Sequence, residues 1–393
     1  MSPVRLSRSL DLQQLRDEGY EISATERGHL VLRHVPYVNS RREVAYADLV
    51  SRLTMAGECT VNPVSHHEAF WTGEAPHDQH GDALPNMVNP GQRELEPELT
   101  AQCTFSCKPA TPYPNYHAKM TTYVAMLEGP AQVIDPTATA RTYRIVEDED
   151  PDSPFVYTDT ASSRAGIVAL TDRLRNQRVS IVGLGGTGAY ILDFVAKTPV
   201  KEIHLFDGDD FHSHNAFRAP GAASLEELNT RPKKVARLAS VYSLLKHGIV
   251  PHPYAITSEN VEDLRGMDFV FLSMDGGPVK KNVVERLTEW QMSFIDVGMG
   301  MKKGENGLIG ILRVTTSTPA QRDHIGGRID FSEPGADDIY DENIQIADLN
   351  ALNATLAVIK WKKLNGVYAD LEQECFAAYT LDGNDLLNED AVR

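Results

Sequence analysis

The second half of the chain alternates short apolar runs with segments whose apolar residues recur at helical spacing. The apolar runs predict four strands, at residues 178–185, 202–210, 267–277 and 293–300. The helical spacing predicts four helices, at residues 163–176, 189–198, 231–248 and 283–291. Strands that alternate with helices form right-handed βαβ crossovers and a mostly parallel sheet. The pattern therefore predicts a Rossmann-like α/β domain that binds its ligand at the carboxyl ends of the strands.

The first half of the chain mixes both types of element with many turns. Alternating β-branched residues predict a strand at residues 29–38, and residues 68–73 predict another. Residues 75–97 are rich in Pro, Gly, Asp, His and Asn, which is typical of a loop. Residues 116–129 have helical spacing that ends at a glycine. We therefore expect a smaller α+β domain here.

A change of composition separates the two halves. The sequence EDEDPDSP at residues 147–154 is acidic and interrupted by prolines, as in a solvated linker. A chain of 393 residues also exceeds the size at which a single hydrophobic core stops growing. We therefore expect two domains, the α+β domain at residues 1–150 and the α/β domain at residues 155–393.

Net charge and cysteine content exclude several functional classes. The chain has 38 Lys and Arg against 55 Asp and Glu, so its net charge of −17 leaves no basic surplus to neutralise nucleic-acid phosphates. It begins without an apolar run of signal-peptide length, and no later segment approaches the roughly 20 residues that span a bilayer. We expect a cytoplasmic protein that binds neither nucleic acid nor membrane. Its four cysteines are then thiols rather than disulfides.

The sequence VGLGGTGAYILDF at residues 182–194 is a glycine-rich turn between a predicted strand and a predicted helix. Gly183 permits the tight turn, and Gly188 lets the helix pack against the sheet. Gly185 and Gly186 let the backbone approach a phosphate. The free N–H groups at the start of the helix and the helix dipole both favour an anion. The turn therefore predicts a nucleotide site.

A strongly polar loop, DGDDFHSHNAFR at residues 207–218, follows the next strand. Asp207 lies about 20 residues after the glycine turn, where an acceptor for a ribose hydroxyl is expected. Hydride transfer does not require the further acid, amide and arginine of this loop. Cleavage between the α- and β-phosphates does, because it needs donors to the phosphate oxygens and carboxylates for Mg²⁺. Lys233 and Asp275 place two more charged groups at the same edge of the sheet.

Together, the sequences GLGGTG, DGDDFHSHNAFR, RPK and SMDG resemble the ThiF/MoeB adenylating family, which shares its fold with ubiquitin-activating enzymes. The resemblance covers residues 155–393. It implies that Asp207 holds the ATP ribose and that Asp275 binds Mg²⁺, with Asp209 as a supporting acid. It also implies contacts with the triphosphate from Asn215, Arg218 and Lys233. Arg164 matches the family's arginine that reaches the γ-phosphate of ATP in the partner subunit.

The resemblance implies adenylation of the C-terminal carboxylate of a ubiquitin-like or sulfur-carrier protein that ends in Gly-Gly, in a bacterial conjugation pathway. The products are an acyl-AMP and pyrophosphate. No general base is needed, because a carboxylate is ionised at neutral pH. A long predicted helix at residues 341–366 resembles the family's C-terminal helix near the dimer interface. With Arg164 acting in trans, the resemblance implies a homodimer.

The sequence departs from the family in its cysteines. It has no Cys-x-x-Cys pair, so we predict no structural zinc. It also has no cysteine between Asp296 and Glu374, where relatives carry the catalytic cysteine. Three fates of the acyl group stay open. The adenylate passes to a partner's nucleophile, which we favour, or to Cys375, or to a hydroxyl of RVTTSTP at residues 313–319 with His324 as base.

The first half supplies the remaining candidates for chemistry. A group of histidines and acids has no fixed ligand spacing, so we disfavour a metal site at His66, His67, His77, His80, Glu68, Glu74 and Asp78. Cys103 and Cys107 lack a second pair and are expected to be thiols. The sequences HLVLRHVPYV, FWTGEAP and KMTTY resemble an uncharacterised bacterial domain found ahead of ThiF-like modules, with a weaker likeness to a conjugating-enzyme-like fold. We expect this domain to bind the protein substrate or a conjugating-enzyme-like partner.

Two other functions compete with adenylation. One is a catalytically inert scaffold, because pseudo-activating partners keep the fold and lose the charged residues. Arg218, Lys233 and Asp275 are all present here, which counts against it. The other is an NAD-dependent oxidoreductase, which the polar loop at residues 207–218 disfavours.

Overall fold

A computed structural model describes residues 9–25, 27–56, 59–63, 66–84, 88–145, 152–332 and 344–391. The chain divides into two compact units, which are Met1–Pro151 with Tyr157–Ile167, and Asp152–Val156 with Val168–Arg393. The predicted linker lies partly outside the described residues, and the expected boundary between residues 150 and 155 stays a prediction. Among the described helices, none is apolar over a length sufficient to cross a bilayer.

The first unit is built on a six-stranded antiparallel sheet with the strand order β1-β2-β3-β6-β8-β7. Its strands, with a separate β4–β5 hairpin, are β1 (Ile22–Ala24), β2 (His29–Val38), β3 (Val44–Arg52), β4 (Met55–Ala56), β5 (Cys59–Thr60), β6 (Ala69–Trp71), β7 (Val88–Glu96) and β8 (Leu99–Phe105). Its helices are α1 (Leu10–Asp17), α2 (Tyr116–Ile134) and α3 (Thr160–Arg164). Helix α2 packs its buried aromatic residues on one face of the sheet, so the predicted α+β architecture is confirmed.

Two local predictions for this unit are wrong. The strand β7 lies inside the predicted loop at residues 75–97. Its sequence lacks the alternation of a strand because β7 is an edge strand with mostly exposed, polar residues and a register shift between Pro90 and Arg93. Helix α2 does not stop at Gly129 but continues to Ile134. Burial of Ala131 against Val38 favours that extension over the glycine stop. The strand predicted at residues 29–38 is confirmed.

The second unit has an eight-stranded sheet with the order β11-β10-β9-β12-β13-β14-β15-β16. In this order, the five neighbouring strands β11, β10, β9, β12 and β13 are parallel. The strands β14, β15 and β16 then extend the sheet with antiparallel pairing. The strands are β9 (Arg178–Val182), β10 (Glu202–Phe206), β11 (Ile249–His252), β12 (Phe269–Leu272), β13 (Phe294–Gly304), β14 (Gly307–Ser317), β15 (Phe376–Thr380) and β16 (Asp385–Glu389). The helices are α4 (Val168–Thr171), α5 (Gly186–Ala196), α6 (Ser213–Ala216), α7 (Leu225–Thr230), α8 (Lys234–Tyr242), α9 (Pro278–Glu289), α10 (Ile325–Arg328) and α11 (Ala347–Leu364), with 3₁₀ turns at Asp172–Leu174 and Val261–Leu264.

Helices cover both faces of this sheet, so its central strands are apolar on both sides. In β12, Phe269 and Phe271 pack into the core beneath α5, α8 and α11, whereas Val270 and Leu272 pack beneath α9. The predicted Rossmann-like, mostly parallel fold is confirmed. The single helix predicted at residues 163–176 is wrong, because that stretch forms α4 and a 3₁₀ turn after α3 ends. Gly166, with φ of +65°, lies at the break.

The second unit contains a fully buried lysine, Lys246, between α8 and β11. The Lys246 ammonium donates to the carbonyl of Thr198 at 3.2 Å and to that of Val200, and lies 5.0 Å from the ring centre of Phe155. These partners are neutral. Burial lowers the pKa of Lys246 from 10.5 to about 7.

This burial predicts a dependence of stability on pH. Between pH 7 and 10.5 the unfolded chain holds a proton on Lys246 that the folded chain lacks. The free energy of unfolding should therefore rise with pH in that window, by up to about 1.4 kcal/mol per pH unit. Lys246→Met should remove this slope, as measured by urea unfolding at pH 7 and pH 9. Lys281→Met, an exposed control, should retain it, and equal slopes in all three proteins would contradict the argument.

Candidate nucleotide-binding site

The glycine turn between β9 and α5 is held by close backbone contacts. Gly183 has φ of +86°, and a Cβ atom there would lie 2.3 Å from the carbonyl oxygen of Ser273. A Cβ atom at Gly188 would lie 1.9 Å from the carbonyl oxygen of Gly183. At Gly186 it would lie 1.8 Å from the Asn350 side chain. These three positions therefore require glycine for packing.

Gly185 differs from the other glycines of the turn. The atom nearest to a Cβ there would be Oε1 of Gln345, at 3.9 Å. Gly185 precedes the first residue of α5 and lines a cavity at the carboxyl ends of the strands. It is thus a position at which the backbone is open to a ligand.

Asp207 connects the glycine turn to the polar loop after β10 through two hydrogen bonds. Its Oδ2 accepts from the Leu184 N–H at 2.7 Å, and its Oδ1 accepts from the Asp209 N–H at 2.9 Å. The residue is 8% exposed and still lines the cavity, so each oxygen has lone-pair capacity for a ligand hydroxyl. Its predicted contact with ribose stays a prediction.

This first cavity has a volume of about 290 Å³. Its polar lining comprises Asp207, Asp209, Arg218, Lys234, Ser273, Asp275 and Gln345. The buried Nε of Arg218 has no hydrogen-bond partner in the described part of the chain. Asp275 is exposed and forms neither a hydrogen bond nor an ion pair with another described residue. The cavity therefore presents a free cationic donor and a free carboxylate.

The two adjacent lysines of RPKK have different surroundings. Lys233, the sequence candidate, donates to the Gly208 carbonyl at 2.8 Å, pairs with Asp210 at 2.8 Å, and does not line the cavity. Lys234 does line it, with its ammonium 2.7 Å from Asp209 Oδ2. The hydrogen bond from Lys234 lowers the pKa of Asp209. The structure therefore brings Lys234 rather than Lys233 to the cavity wall.

Two further sequence candidates are not among the residues that line this cavity. Asn215 is buried and accepts from the His212 N–H at 2.9 Å in a capping box at the start of α6. Arg164 belongs to the first unit, where it ends α3 and donates to the carbonyl of Asp17. Their predicted contacts with the triphosphate, for Arg164 that of a partner subunit, stay predictions.

A second cavity, of about 200 Å³, shares Ser273, Met274, Asp275 and Gln345 with the first. At its base the Lys280 ammonium lies 2.5 Å from the Asp296 carboxylate, and both side chains are buried. Burial raises the pKa of Asp296, and the charge of Lys280 opposes that effect. Thr315, Arg313 and Asn353 also line this cavity.

The candidates for an acyl acceptor within the chain are mostly enclosed. Cys375 is buried, and its burial raises the pKa of its thiol, which disfavours the thiolate. Thr316 and Ser317 are buried, and the ring Nε2 of His324 lies 2.9 Å from the Thr316 carbonyl. Thr315 is the hydroxyl of this stretch that lines the second cavity.

Metal ligands do not cluster in the described residues. No group of three or more His, Cys, Asp and Glu side chains there could hold a metal ion. In the first unit, the ring of His67 lies 3.1 Å from Ser106 Oγ, and Cys103 is buried. The expectation that the protein has no structural zinc stays a prediction.

Sequence reasoning missed several residues of the two cavities. Lys234 directly follows the predicted site residue Lys233, and the structure distinguishes them because α8 begins at Lys234. Arg313 lies on β14, and Asn350 and Asn353 lie on α11, far along the chain from the glycine turn. For the two asparagines, the sequence offers one signal, which is that a polar residue interrupts the apolar face of a predicted helix.

Family models match both parts of the chain, and solved structures give distant matches. Residues 10–160 match the domain of unknown function DUF6791, and residues 160–317 match the ThiF family. No curated protein is a significant match. The microcin C7 biosynthetic enzyme MccB in complex with N-formylated MccA is 15% identical, over 72% of this chain and 81% of that one, with a TM-score of 0.45.

Two further solved structures are similarly distant. E. coli MccB with ATP is 17% identical, over 57% of this chain and 67% of that one, with a TM-score of 0.43. PaaA is 12% identical, over 56% of this chain and 75% of that one, with a TM-score of 0.44. The family assignment therefore depends on the two family models, and it confirms the resemblance found in the sequence. The chain contains a ThiF-family domain, preceded by a DUF6791 domain.

Proposed function

We propose that the second unit adenylates the C-terminal carboxylate of a ubiquitin-like or sulfur-carrier protein, with ATP as the co-substrate. The observation that carries this proposal is the composition of the first cavity. There an open glycine position, an unpartnered arginine donor and a free carboxylate meet at the carboxyl ends of parallel strands. Nucleotide sites of doubly wound folds lie at that edge.

The residues of the cavity match the charges that develop in the reaction. The N–H groups at the start of α5 and the Arg218 guanidinium would hold phosphate oxygens. Lys234, fixed by Asp209, would neutralise charge on the α-phosphate as the carboxylate attacks. The attacking carboxylate is already ionised, so positioning and electrostatics supply the catalysis.

Asp275 fits a Mg²⁺ ligand. Its carboxylate is exposed and unpaired among the described residues, and Mg²⁺ in nucleotide sites uses one or two carboxylates with phosphate oxygens and waters. The metal would neutralise phosphate charge there. Asp209 is engaged by Lys234, which makes it a supporting group rather than a second full ligand.

We further propose that the acyl-adenylate passes to a nucleophile of a partner. Burial of Cys375 counts against a thioester on this chain. Thr315 keeps the oxyester alternative open, because it lines the cavity next to Asp275. Treatment of the charged enzyme with thiol or hydroxylamine distinguishes a thioester, an oxyester and no adduct. The first unit would recruit the protein substrate or a conjugating-enzyme-like partner, and the enzyme would act as a homodimer in the cytoplasm.

Exchange of radioactive pyrophosphate into ATP tests adenylation. Candidate β-grasp carriers ending in Gly-Gly should support exchange, and the same carriers without the two glycines should not. Asp275→Asn should lower the exchange rate about 100-fold or more, because a metal ligand is lost. Asp382→Asn, a change of an exposed carboxylate elsewhere, is the matched control. Exchange unaffected by Asp275→Asn, or tight NADH binding without exchange, would contradict the proposal.

The glycine turn provides a test that separates binding from folding. Gly185→Ala should retain the thermal stability of the wild type, since no protein atom crowds the new Cβ, yet it should weaken ATP binding about tenfold or more. Gly186→Ala should instead lower stability by about 1–3 kcal/mol through its clash with Asn350. Calorimetric titration with ATP and thermal unfolding measure both effects. Equal ATP affinity of Gly185→Ala and wild type would argue against a phosphate at this turn.

The two lysines can be distinguished by paired variants. Lys234→Met should reduce the exchange rate about tenfold more than Lys233→Met, because Lys234 faces the first cavity and Lys233 is held by Gly208 and Asp210. Both variants are compared at saturating ATP and carrier. A larger loss in Lys233→Met would support the assignment made from the sequence instead.

A further inference from the structure

The first unit contains a cavity of its own, separate from the two cavities of the second unit. It has a volume of about 230 Å³, and every residue that lines it belongs to the first unit. We call it the aromatic cavity, because its apolar lining comes from Tyr20, Ile22, Tyr143, Ile145 and Tyr157. The charged residues of its lining are three arginines, with no acid among them. This combination favours a ligand that is both apolar and anionic.

The apolar residues of the aromatic cavity form a floor and a mouth. Tyr20 and Ile22 are buried and form the floor. Tyr143, Ile145 and Tyr157 are 65%, 76% and 38% exposed and lie at the mouth. Exposed large apolar side chains that cluster at one place mark an interaction site.

Contacts between distant parts of the chain hold the walls of the aromatic cavity. The Tyr143 N–H donates to the Gly19 carbonyl at 3.0 Å, and the Tyr143 ring lies where a side chain at Gly19 would project, 2.6 Å from a Cβ built there. The Arg16 guanidinium donates to the Thr158 hydroxyl at 3.3 Å. The walls are therefore fixed before a ligand arrives, which lowers the entropic cost of binding.

The three arginines of the lining retain donors for an anion. Arg16 donates to a hydroxyl and Arg164 to a backbone carbonyl, which are neutral groups. Arg144 is exposed, and its Nη1 lies 3.7 Å from the Glu21 carboxylate, beyond hydrogen-bond distance. A guanidinium carries five N–H donors, so each arginine can still pair with a carboxylate.

The acids at the end of α1 do not line the aromatic cavity and have partners elsewhere. Asp17 accepts from the Ser163 hydroxyl at 3.0 Å, and the Glu18 carboxylate lies 2.9 Å from the ring Nε2 of His117. The lining is thus locally cationic in a chain whose net charge is −17. Such a site attracts an acidic partner.

Size and the spread of the arginines distinguish a peptide from a small anion. A volume of about 230 Å³ exceeds the roughly 150 Å³ that accommodates benzene, so the aromatic cavity holds one large apolar side chain. Arg16 lies on α1, Arg144 follows Tyr143, and Arg164 ends α3. A small molecule with one carboxylate would use one of them, whereas carboxylates spaced along a peptide would use all three.

We propose that the aromatic cavity docks an acidic segment of a partner protein, with one aromatic side chain in the cavity and neighbouring carboxylates on the three arginines. This inference rests on the proposed function, because it names the chemistry by which the first unit recruits a protein. Arg164 is also the candidate for a contact with the nucleotide of a partner subunit. The test therefore changes Arg16 and Arg144 only.

Short peptides test this chemistry with the full-length wild-type protein. Three acetylated and amidated peptides are compared by calorimetric titration at low salt, namely Glu-Glu-Phe-Glu-Glu, Gln-Gln-Phe-Gln-Gln and Glu-Glu-Ala-Glu-Glu. N-acetylphenylalanine serves as the small anion. The first peptide should bind about tenfold or more tightly than each of the others, because they lack either the charges or the buried ring. Its advantage over the glutamine peptide should shrink in about 0.5 M NaCl, which screens surface charge.

Variants assign each preference to its residues. Arg16→Gln combined with Arg144→Gln should abolish the preference for the glutamate over the glutamine peptide and leave the preference for Phe over Ala. Arg144→Gln alone, at an exposed position, should weaken the first preference in part. Tyr157→Ser and Ile145→Ser, at the mouth, should weaken the preference for Phe over Ala and leave the charge preference.

Two exposed side chains of the first unit that do not line the aromatic cavity are matched controls. Arg41→Gln and Tyr46→Ser should change neither preference. Tyr46 is 42% exposed, close to the 38% of Tyr157, so the two tyrosine variants differ mainly in location. Unchanged midpoints of thermal unfolding show that each variant is folded.

The outcomes distinguish this inference from adenylation. Equal binding of the three peptides, preferences unchanged in the cavity variants, or equally tight binding of N-acetylphenylalanine would overturn the inference, and carrier-dependent exchange could still stand. Loss of self-association in the arginine variants, measured by sedimentation velocity, would assign the cavity to a second copy of the chain and also overturn it. Preferences that follow the cavity residues, in a protein that shows no exchange with any carrier, would support the docking site and overturn adenylation.

Discussion

The second unit depends on one buried asparagine on α11. Asn350 is fully buried, accepts from the Thr187 hydroxyl at 2.9 Å, and donates to the Arg218 carbonyl at 3.3 Å. Its amide lies against Gly186, where no side chain would fit. One side chain therefore joins the helix of the glycine turn, the polar loop and the C-terminal helix. Because a buried amide is costly when its partners are lost, the three segments are held together or lost together.

The elements of the fold follow from the sequence more completely than the site does. Periodicity is local, so β9, β10, β12 and the helices α5 and α8 could be predicted from a few residues each. The edge strand β7 could not, because exposed polar residues and a bulge hide its alternation. Lys233 is the non-helical residue that precedes α8 and Lys234 is its first helical residue, so their side chains leave the backbone in different directions. Arg313, Asn350 and Asn353 reach the cavities only through tertiary packing.

Groups that line the cavity and groups that hold the backbone are closely mixed at this sheet edge. Asp207 ties the turn to the loop and also lines the first cavity, and Lys234 both pairs with Asp209 and faces the cavity. Lys233 and Asn215, by contrast, are occupied in loop geometry. A charged residue in a family motif is thus not by itself evidence of contact with substrate, because the same loop must be rigid before it can bind a phosphate.

The position of Asp275 between the two cavities couples the binding of their ligands. Asp275 lines both cavities, so a cation held there changes the electrostatic potential in each. Ligands in the two cavities are then thermodynamically linked through a single carboxylate. Linkage is reciprocal, so the factor by which a ligand in the first cavity tightens a ligand in the second equals the factor by which the second tightens the first. Under the proposed function, the nucleotide would be retained longest while the second cavity is filled.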